Sequence, residues 1–360
     1  VDLDAEARRS GRRLRILVTR LRYLGDVIMT TPVMAALKSR YPGAEIDYLV
    51  EERYAAILLN NPHIDDIIPA KRGFIETLRM LRRREFTAAL DLFYNPRSAW
   101  LLYLAGIPIR VGGSRRWRRR LFTHTFSVPA SLRSAVSHHL YPLGIFDVHW
   151  EGSMPRVYLA EEELNEAASI LERTVGSRSS IIAMHPGGTW PAKRWGVSSF
   201  AALARMIRER LGSDLVLVAG PGEREIAEAV RNEAGDGAHV LPSMPVRQIA
   251  SIIGCCDAVV ANDGGIMHLS VALTRPTVGV FGPTEPDIWF PYTDGGPYAV
   301  ATVGEDCAPC YRHACEDTKC LERLTPDSVY EKLESVLAWH EPKERDRYPI
   351  SRRSEDWDRS

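Results

Sequence analysis

The chain has no run of 18 apolar residues, so no stretch reads as a membrane-spanning helix. It also has no signal-peptide core, because the opening VDLDAEARRSGRRLR is charged. The first residue is Val rather than Met, and the true N-terminus is expected upstream. Cysteine is sparse, at six residues, and with no export signal this fits a reducing compartment. Three common fingerprints are missing as well. The first strand leads into RLRYLGD rather than GxGxxG, and GPGEREI (220–226) is only partly similar to that pattern. Neither GxxxxGK[ST] nor HExxH occurs. These absences weigh against a dehydrogenase, an ATPase and a metalloprotease.

At 360 residues and 45% apolar content, the chain is expected to form two domains. The formal net charge is zero, but it is split. Residues 1–150 hold 24 Lys and Arg against 14 Asp and Glu, while residues 151–360 hold 22 against 32. A first half made basic by Arg suggests an anionic partner on that side: phosphorylated lipid, a membrane surface or nucleic acid.

Read in order, 1–13 is a basic arm and Leu14–Thr19 a strong first strand. A loop, RLRYLGD (20–26), follows, then a helix through Arg40. Pro32 fits the first turn of that helix after Thr31, which leaves Gly25 and Asp26 on the loop. Spacing alone lets Asp26 be either a cap or a site carboxylate. Strands are expected at 45–50, 64–68 and 88–92, and helices at 74–84 and 98–105. A basic loop with one Trp lies at 112–120 and a helix at 133–140. A second set begins near 156. Its strands are expected at 180–184, 215–219, 239–241, 258–261 and 276–281. Its helices are expected at 161–174, 199–211, from 223 to 231, 246–253 and 266–273. Strands alternating with helices indicate parallel sheets covered on both faces, one per half. The cleft between two such domains is the usual place for an active site. Residues 343–360 read as a polar tail.

The stretch AVVANDGGIMHLSVALTRPTVGVFGPTEP (258–286) reads as strand, tight turn, helix and strand. Asn262, Asp263, Gly264 and Gly265 form the turn, since Gly accepts backbone angles that other residues resist. Free N–H groups at the start of the following helix suit a phosphate or pyrophosphate. Asp263 can take a hydroxyl or an ammonium, or can serve only as an N-cap. His268 is a site residue or a plain helix residue.

Four loops thus fall at carboxyl ends of strands, where open α/β sheets bind ligands: LGD (24–26), HPGGTWPAKRW (185–195), GPGERE (220–225) and NDGGIMH (262–268). Together they are far more specific than any one alone. With RILVTRLRYLGDVIMTTPVMAALKSRYPGAEIDYLV (15–50) and GVFGPTEP (279–286), the set resembles the ADP-heptose:lipopolysaccharide heptosyltransferases, from Leu14 to about Leu337. A cysteine-rich loop further along is similar to one found in many members, especially those resembling heptosyltransferase II.

The resemblance implies a GT-B fold: two doubly wound, Rossmann-like α/β domains, an acceptor-side one at 14–155 and a donor-side one at 156–342. It implies an inverting transfer of heptose from ADP-heptose to the lipopolysaccharide inner core, onto Kdo or the first heptose. Such chemistry needs a carboxylate to take the acceptor proton and cations or N–H groups to meet the leaving ADP. By resemblance Asp26 is the base and Lys193 faces the donor phosphates. Gly188, Thr189, Gly264 and Gly265 hold phosphate, and Asp263 and His268 face heptose and phosphates. Glu223 takes ribose hydroxyls, and Met244 lies against adenine or is a core Met. On the acceptor side, Arg97 matches a Lys/Arg position, with Lys71, Arg72, Arg119 and Arg120 as looser candidates. The Arg-rich loop at 115–120 also suits general attraction to the cytoplasmic face of an inner membrane.

No cofactor is expected, since ADP-heptose is the substrate and the chemistry is thought to proceed without a metal ion. A structural zinc at Cys307, Cys310, Cys315 and Cys320 is weighed against free thiols in a loop, the x2, x4, x4 spacing being no standard finger. Other readings are a GT-B enzyme with another nucleotide sugar, and a non-catalytic glycan- or nucleotide-binding protein. Nucleic-acid binding ranks last, because the Arg patch lacks interleaved aromatics beyond Trp117.

Overall fold

A computed structural model describes residues 1–11, 13–150, 154–176 and 180–339. The tail expected at 343–360 lies outside them. The chain forms two compact units. The first is Val1–Tyr158 together with Gly264–Ala272 and Glu285–Tyr292. The second holds Leu159–Asp263, Leu273–Thr284 and the described residues from Thr293.

The first unit carries six parallel strands: β1 (Arg15–Thr19), β2 (Glu45–Glu51), β3 (Asp66–Ala70), β4 (Ala88–Asp91), β5 (Ile109–Gly113) and β6 (His124–Phe126). The second carries six more: β7 (Ile181–His185), β8 (Asp214–Leu217), β9 (Ala238–Val240), β10 (Ala258–Asn262), β11 (Thr277–Val280) and β12 (Tyr298–Ala301). The sheets are ordered β3-β2-β1-β4-β5-β6 and β12-β11-β10-β7-β8-β9. Counted within its own unit, each therefore runs 3-2-1-4-5-6, the Rossmann order. This order puts a topological switch point between β1 and β4, and another between β7 and β10. The strands are nearly all buried, as parallel strands with helices on both faces must be.

Both cores follow from these runs. In the first unit Leu17, Leu49, Ile68 and Ala89 pack with Leu101 and Leu102 of the helix Pro96–Leu104. In the second, Ile182, Met184, Leu215 and Val260 pack with Phe200, Leu203 and Ile207 of the helix Val197–Leu211. Trp195 is buried there, and its indole N–H donates to the Leu324 carbonyl at 3.0 Å.

The basic arm expected at 1–13 is largely a helix, Leu3–Ser10. Asp2 caps it by accepting from Ala5 N, Gly11 ends it in the left-handed conformation, and Leu3 is buried. The basic loop expected at 112–120 is the end of β5 followed by a 3-10 helix, Arg116–Leu121. The edge strands β6 and β12, the strut Pro326–Trp339 and the short turn Glu52–Ala55 were not expected. Gly25 and Asp26 do not lie on a loop. They occupy the first turn of a helix, Leu24–Met29, which meets the helix Thr31–Arg40 at Thr30. Pro32 is the second residue of the latter, as its missing N–H requires.

Candidate active site

In the first unit the switch point lies beside Asp26. β1 delivers Thr19 and Arg20, and β4 delivers Asp91. The Asp91 carboxylate is fully buried and accepts from Thr19 Oγ1 (2.9 Å), Ser98 Oγ (2.9 Å) and Phe93 N (3.0 Å). Burial raises its pKa, and these donors act against that rise. Arg20 spans the crevice. Its guanidinium forms an ion pair with Asp26 and donates through Nη1 to the Leu92 carbonyl at 2.6 Å. Asp26 Oδ2 also accepts from Tyr23 N at 3.2 Å. Asp26 is thus both a helix-start acceptor and a partly exposed carboxylate held by a cation. Its side chain is 18% exposed, enough for a ligand hydroxyl to reach it.

Gly25 is required by packing. A Cβ there would stand 2.6 Å from His268 Cδ2, and one on Gly265 would stand 3.0 Å from Leu24 Cβ. The helix Gly265–Ala272 therefore lies directly on the Leu24–Met29 helix. The structure brings LGD together with GGIMH. His268 is buried, and its Nδ1 is 3.0 Å from Tyr292 Oη.

The acceptor-side candidates are also in the first unit. Arg97 Nη2 donates to the Lys71 carbonyl and, at 3.4 Å, to that of Arg72, so these three meet. Lys71 Nζ lies 3.5 Å from Glu52. Arg119 and Arg120 are exposed on the 3-10 helix and stand apart from any partner named for the other three. Next to them Trp100, Tyr103 and Trp117 are exposed yet touch one another: Trp100 is 6.2 Å from Trp117 and 5.9 Å from Tyr103 between ring centroids. The sequence reading counted only Trp117. Trp100 and Tyr103 come from the neighbouring helix Pro96–Leu104.

In the second unit β7 and β10 frame the other switch point. Asp263, just past β10, is buried, and its Oδ2 meets Lys193 Nζ at 2.6 Å and the Thr284 hydroxyl at 2.5 Å. The Lys193 ammonium lies 4.5 Å from the centre of the Trp190 ring. Asn262 ties the loops: its Nδ2 donates to the carbonyls of Pro186 and Gly187, both at 2.9 Å, and its Oδ1 accepts from Trp195 N at 3.1 Å. Sequence reasoning missed Asn262, Arg20, His185, Thr284 and Tyr292. All of these but Tyr292 stand inside the motifs given above, so position in a motif was the available signal.

Glu223 is turned inward. It accepts from His185 Nε2 (3.0 Å), Gly220 N (2.7 Å) and Gly188 N (2.8 Å). Burial alone would raise its pKa. The His185 contact and the two N–H groups outweigh this and hold it at about 2. The Gly188 N–H is thus given to Glu223 in this structure. Thr189 is exposed, Met244 half-buried, and Gly264 and Gly265 half-buried at the head of their helix. Among the described residues no group of three or more His, Cys, Asp or Glu is arranged to hold a metal ion. The zinc weighed for Cys307, Cys310, Cys315 and Cys320 therefore has no support, and all four are free thiols.

The family model for glycosyltransferase family 9 (heptosyltransferase) matches residues 75–321. The chain belongs to glycosyltransferase family 9. As a family 9 glycosyltransferase, it is 29% identical to lipopolysaccharide heptosyltransferase 1 of Pseudomonas aeruginosa, over 90% of this chain and 98% of that one. It is 26% identical to lipopolysaccharide heptosyltransferase 2 of Salmonella typhimurium, over 90% and 99%. Among solved structures, ADP-heptose lps heptosyltransferase II of E. coli superimposes with a TM-score of 0.78 at 25% identity, covering 90% of this chain and 99% of that one. The expected GT-B type of fold and the expected family are both borne out.

Proposed function

We propose that this family 9 glycosyltransferase moves heptose from ADP-heptose to the lipopolysaccharide core, with inversion, using Asp26 as base. The observation that carries the reading is the 2.6 Å Lys193–Asp263 ion pair at the β7/β10 switch point, where a doubly wound sheet receives a nucleotide. A cation held in reserve by a carboxylate is suited to meet the leaving ADP. The donor is assigned to the second unit, with Lys193, Thr189 and Asp263 at its phosphates and heptose. The acceptor hydroxyl attacks the anomeric carbon, Asp26 takes its proton, and the bond to ADP breaks as Lys193 offsets the charge formed. Arg20 holds the Asp26 carboxylate in place until the hydroxyl arrives.

The anionic core acceptor is assigned to the first unit, around Arg97, Lys71 and Arg72. Arg119 and Arg120 are given a different task. With exposed Trp100, Tyr103 and Trp117 they form an aromatic, cationic face suited to anionic lipid at the cytoplasmic side of the inner membrane. No helix among the described residues is long and apolar enough to cross a membrane.

Incubation of the purified protein with ADP-heptose and a Kdo-bearing core lipid should add one heptose to the lipid by mass spectrometry and release ADP. ADP release from ADP-heptose without a change in acceptor mass would sink the acceptor assignment. A second reading, transfer from another nucleotide sugar, is favoured by Glu223: its carboxylate is committed to three protein donors. A thermal-shift panel of ADP-, UDP- and GDP-sugars separates the two, and preference for UDP or GDP would overturn the first.

A further inference from the structure

The cysteine-rich segment has no role in the chemistry above, yet it is fastened to both partners of the Lys193–Asp263 pair. On one side, the N–H groups of Cys310 and Tyr311 donate to the Pro283 carbonyl at 3.0 and 2.9 Å. Pro283 is followed by Thr284, whose hydroxyl holds Asp263. On the other side, the His313 carbonyl accepts from Ala192 N at 3.2 Å, one residue before Lys193. The exposed His313 imidazole lies flat on Trp190, with ring centroids 3.8 Å apart and planes within 26°. Lys193 Nζ lies 4.5 Å from the same indole centre. Imidazole and ammonium therefore both lie against the same indole. The base of the loop is anchored independently, by buried Cys320 and Leu321 against Gly282 and by the Arg323–Glu305 pair at 2.8 Å.

We propose that the cysteine-rich loop, acting through His313 stacked on Trp190, is a positioning element that fixes the arc of the Lys193 ammonium between Asp263 and the donor phosphates. The inference rests on the reading of Lys193 as a donor-phosphate contact. With His313 in place, the indole is held and the ammonium has few positions to choose from. Without it, Trp190 can turn, and the cation reaches the leaving phosphate in the right geometry less often. Such a loss falls on the transition state more than on ground-state binding.

The test uses His313→Ala and His313→Phe in the full chain. His313→Ala should lower kcat about 5-fold, the upper end of one exposed cation–π contact, with donor KM changed less than about 2-fold. His313→Phe keeps the stack and should return kcat to within about 2-fold of the parent. On a Lys193→Met background, His313→Ala should cost nothing more. Acetylation of Lys193 by acetic anhydride, followed by peptide mass spectrometry, reads the same positioning without turnover. It should be faster in His313→Ala and normal in His313→Phe. Unchanged kcat and labelling in His313→Ala would overturn the proposal. So would a Phe variant as impaired as Ala, or losses that add to those of Lys193→Met. If the parent protein turns over no ADP-heptose, the donor reading fails, while the labelling still decides the role of His313.

Discussion

The two sheets share one strand order but secure their switch points by opposite means. At the β1/β4 crevice the fourth strand ends in Asp91, a buried carboxylate that hydroxyls and one N–H satisfy, next to a charged pair, Arg20–Asp26. At the β7/β10 crevice the fourth strand ends in Asn262, a neutral amide that bonds three backbone groups of the HPGG–KRW loop. A neutral clamp can hold a loop without adding to the field at the site. A carboxylate suits a crevice that must handle a proton. The difference teaches that the same strand position can carry a titratable carboxylate in one unit and a fixed amide clamp in the other.

That contrast can be broken in order of expected size. Asp26→Asn should cut turnover by about 10²- to 10⁴-fold, the usual worth of a general base, while ADP binding by calorimetry stays near the parent value. Turnover within a few-fold of the parent would remove Asp26 from the chemistry. Next, Asn262→Asp turns a donor toward two carbonyls into an acceptor and should cost about 3 kcal/mol in urea unfolding. The mirror change, Asp91→Asn, should cost less than about 1 kcal/mol, since its hydroxyl partners can donate or accept. Equal losses at the two positions would contradict the distinction. Between those two in size is the effect of Glu223. Its folded pKa is depressed to about 2, so its stabilisation is full above the unfolded value of about 4.5 and is lost as pH falls toward 2. Glu223→Gln should therefore lose about 2 kcal/mol at pH 7 and little at pH 2, measured by denaturant unfolding at both. A loss that does not vary with pH would mean packing, not charge, is what the side chain supplies.

Much of this was legible in the residues. Buried parallel strands appear as short apolar runs, and Ala258–Ala261 and Leu14–Thr19 were clear for that reason. The glycine motifs also announced loops at strand ends. Edge strands such as β6 (HTF) and β12 (YAVA) are too short to stand out. The helix Leu24–Met29 reads as loop from the sequence because Pro32 points to a helix start near Thr31. What allows it is tertiary, the packing of His268 against the bare Cα of Gly25. The same holds for the site: Asp26, Lys193 and Asp263 could be named from motifs, but not that Glu223 is consumed by Gly188, Gly220 and His185, nor that His313 lies on Trp190. Apart from the Gly220 contact, three positions away, those pairings join residues 35 to 123 positions apart, beyond any local periodicity.

The segment Gly264–Ala272 has one more consequence. It follows β10 in the chain but clusters with Val1–Tyr158, where His268 fills the space left by Gly25. A hybrid enzyme joined at Tyr158 would inherit this helix from the wrong parent. Exchanging the whole first unit between relatives thus calls for moving three separate pieces of sequence, with residues 25 and 268 kept as a matched set.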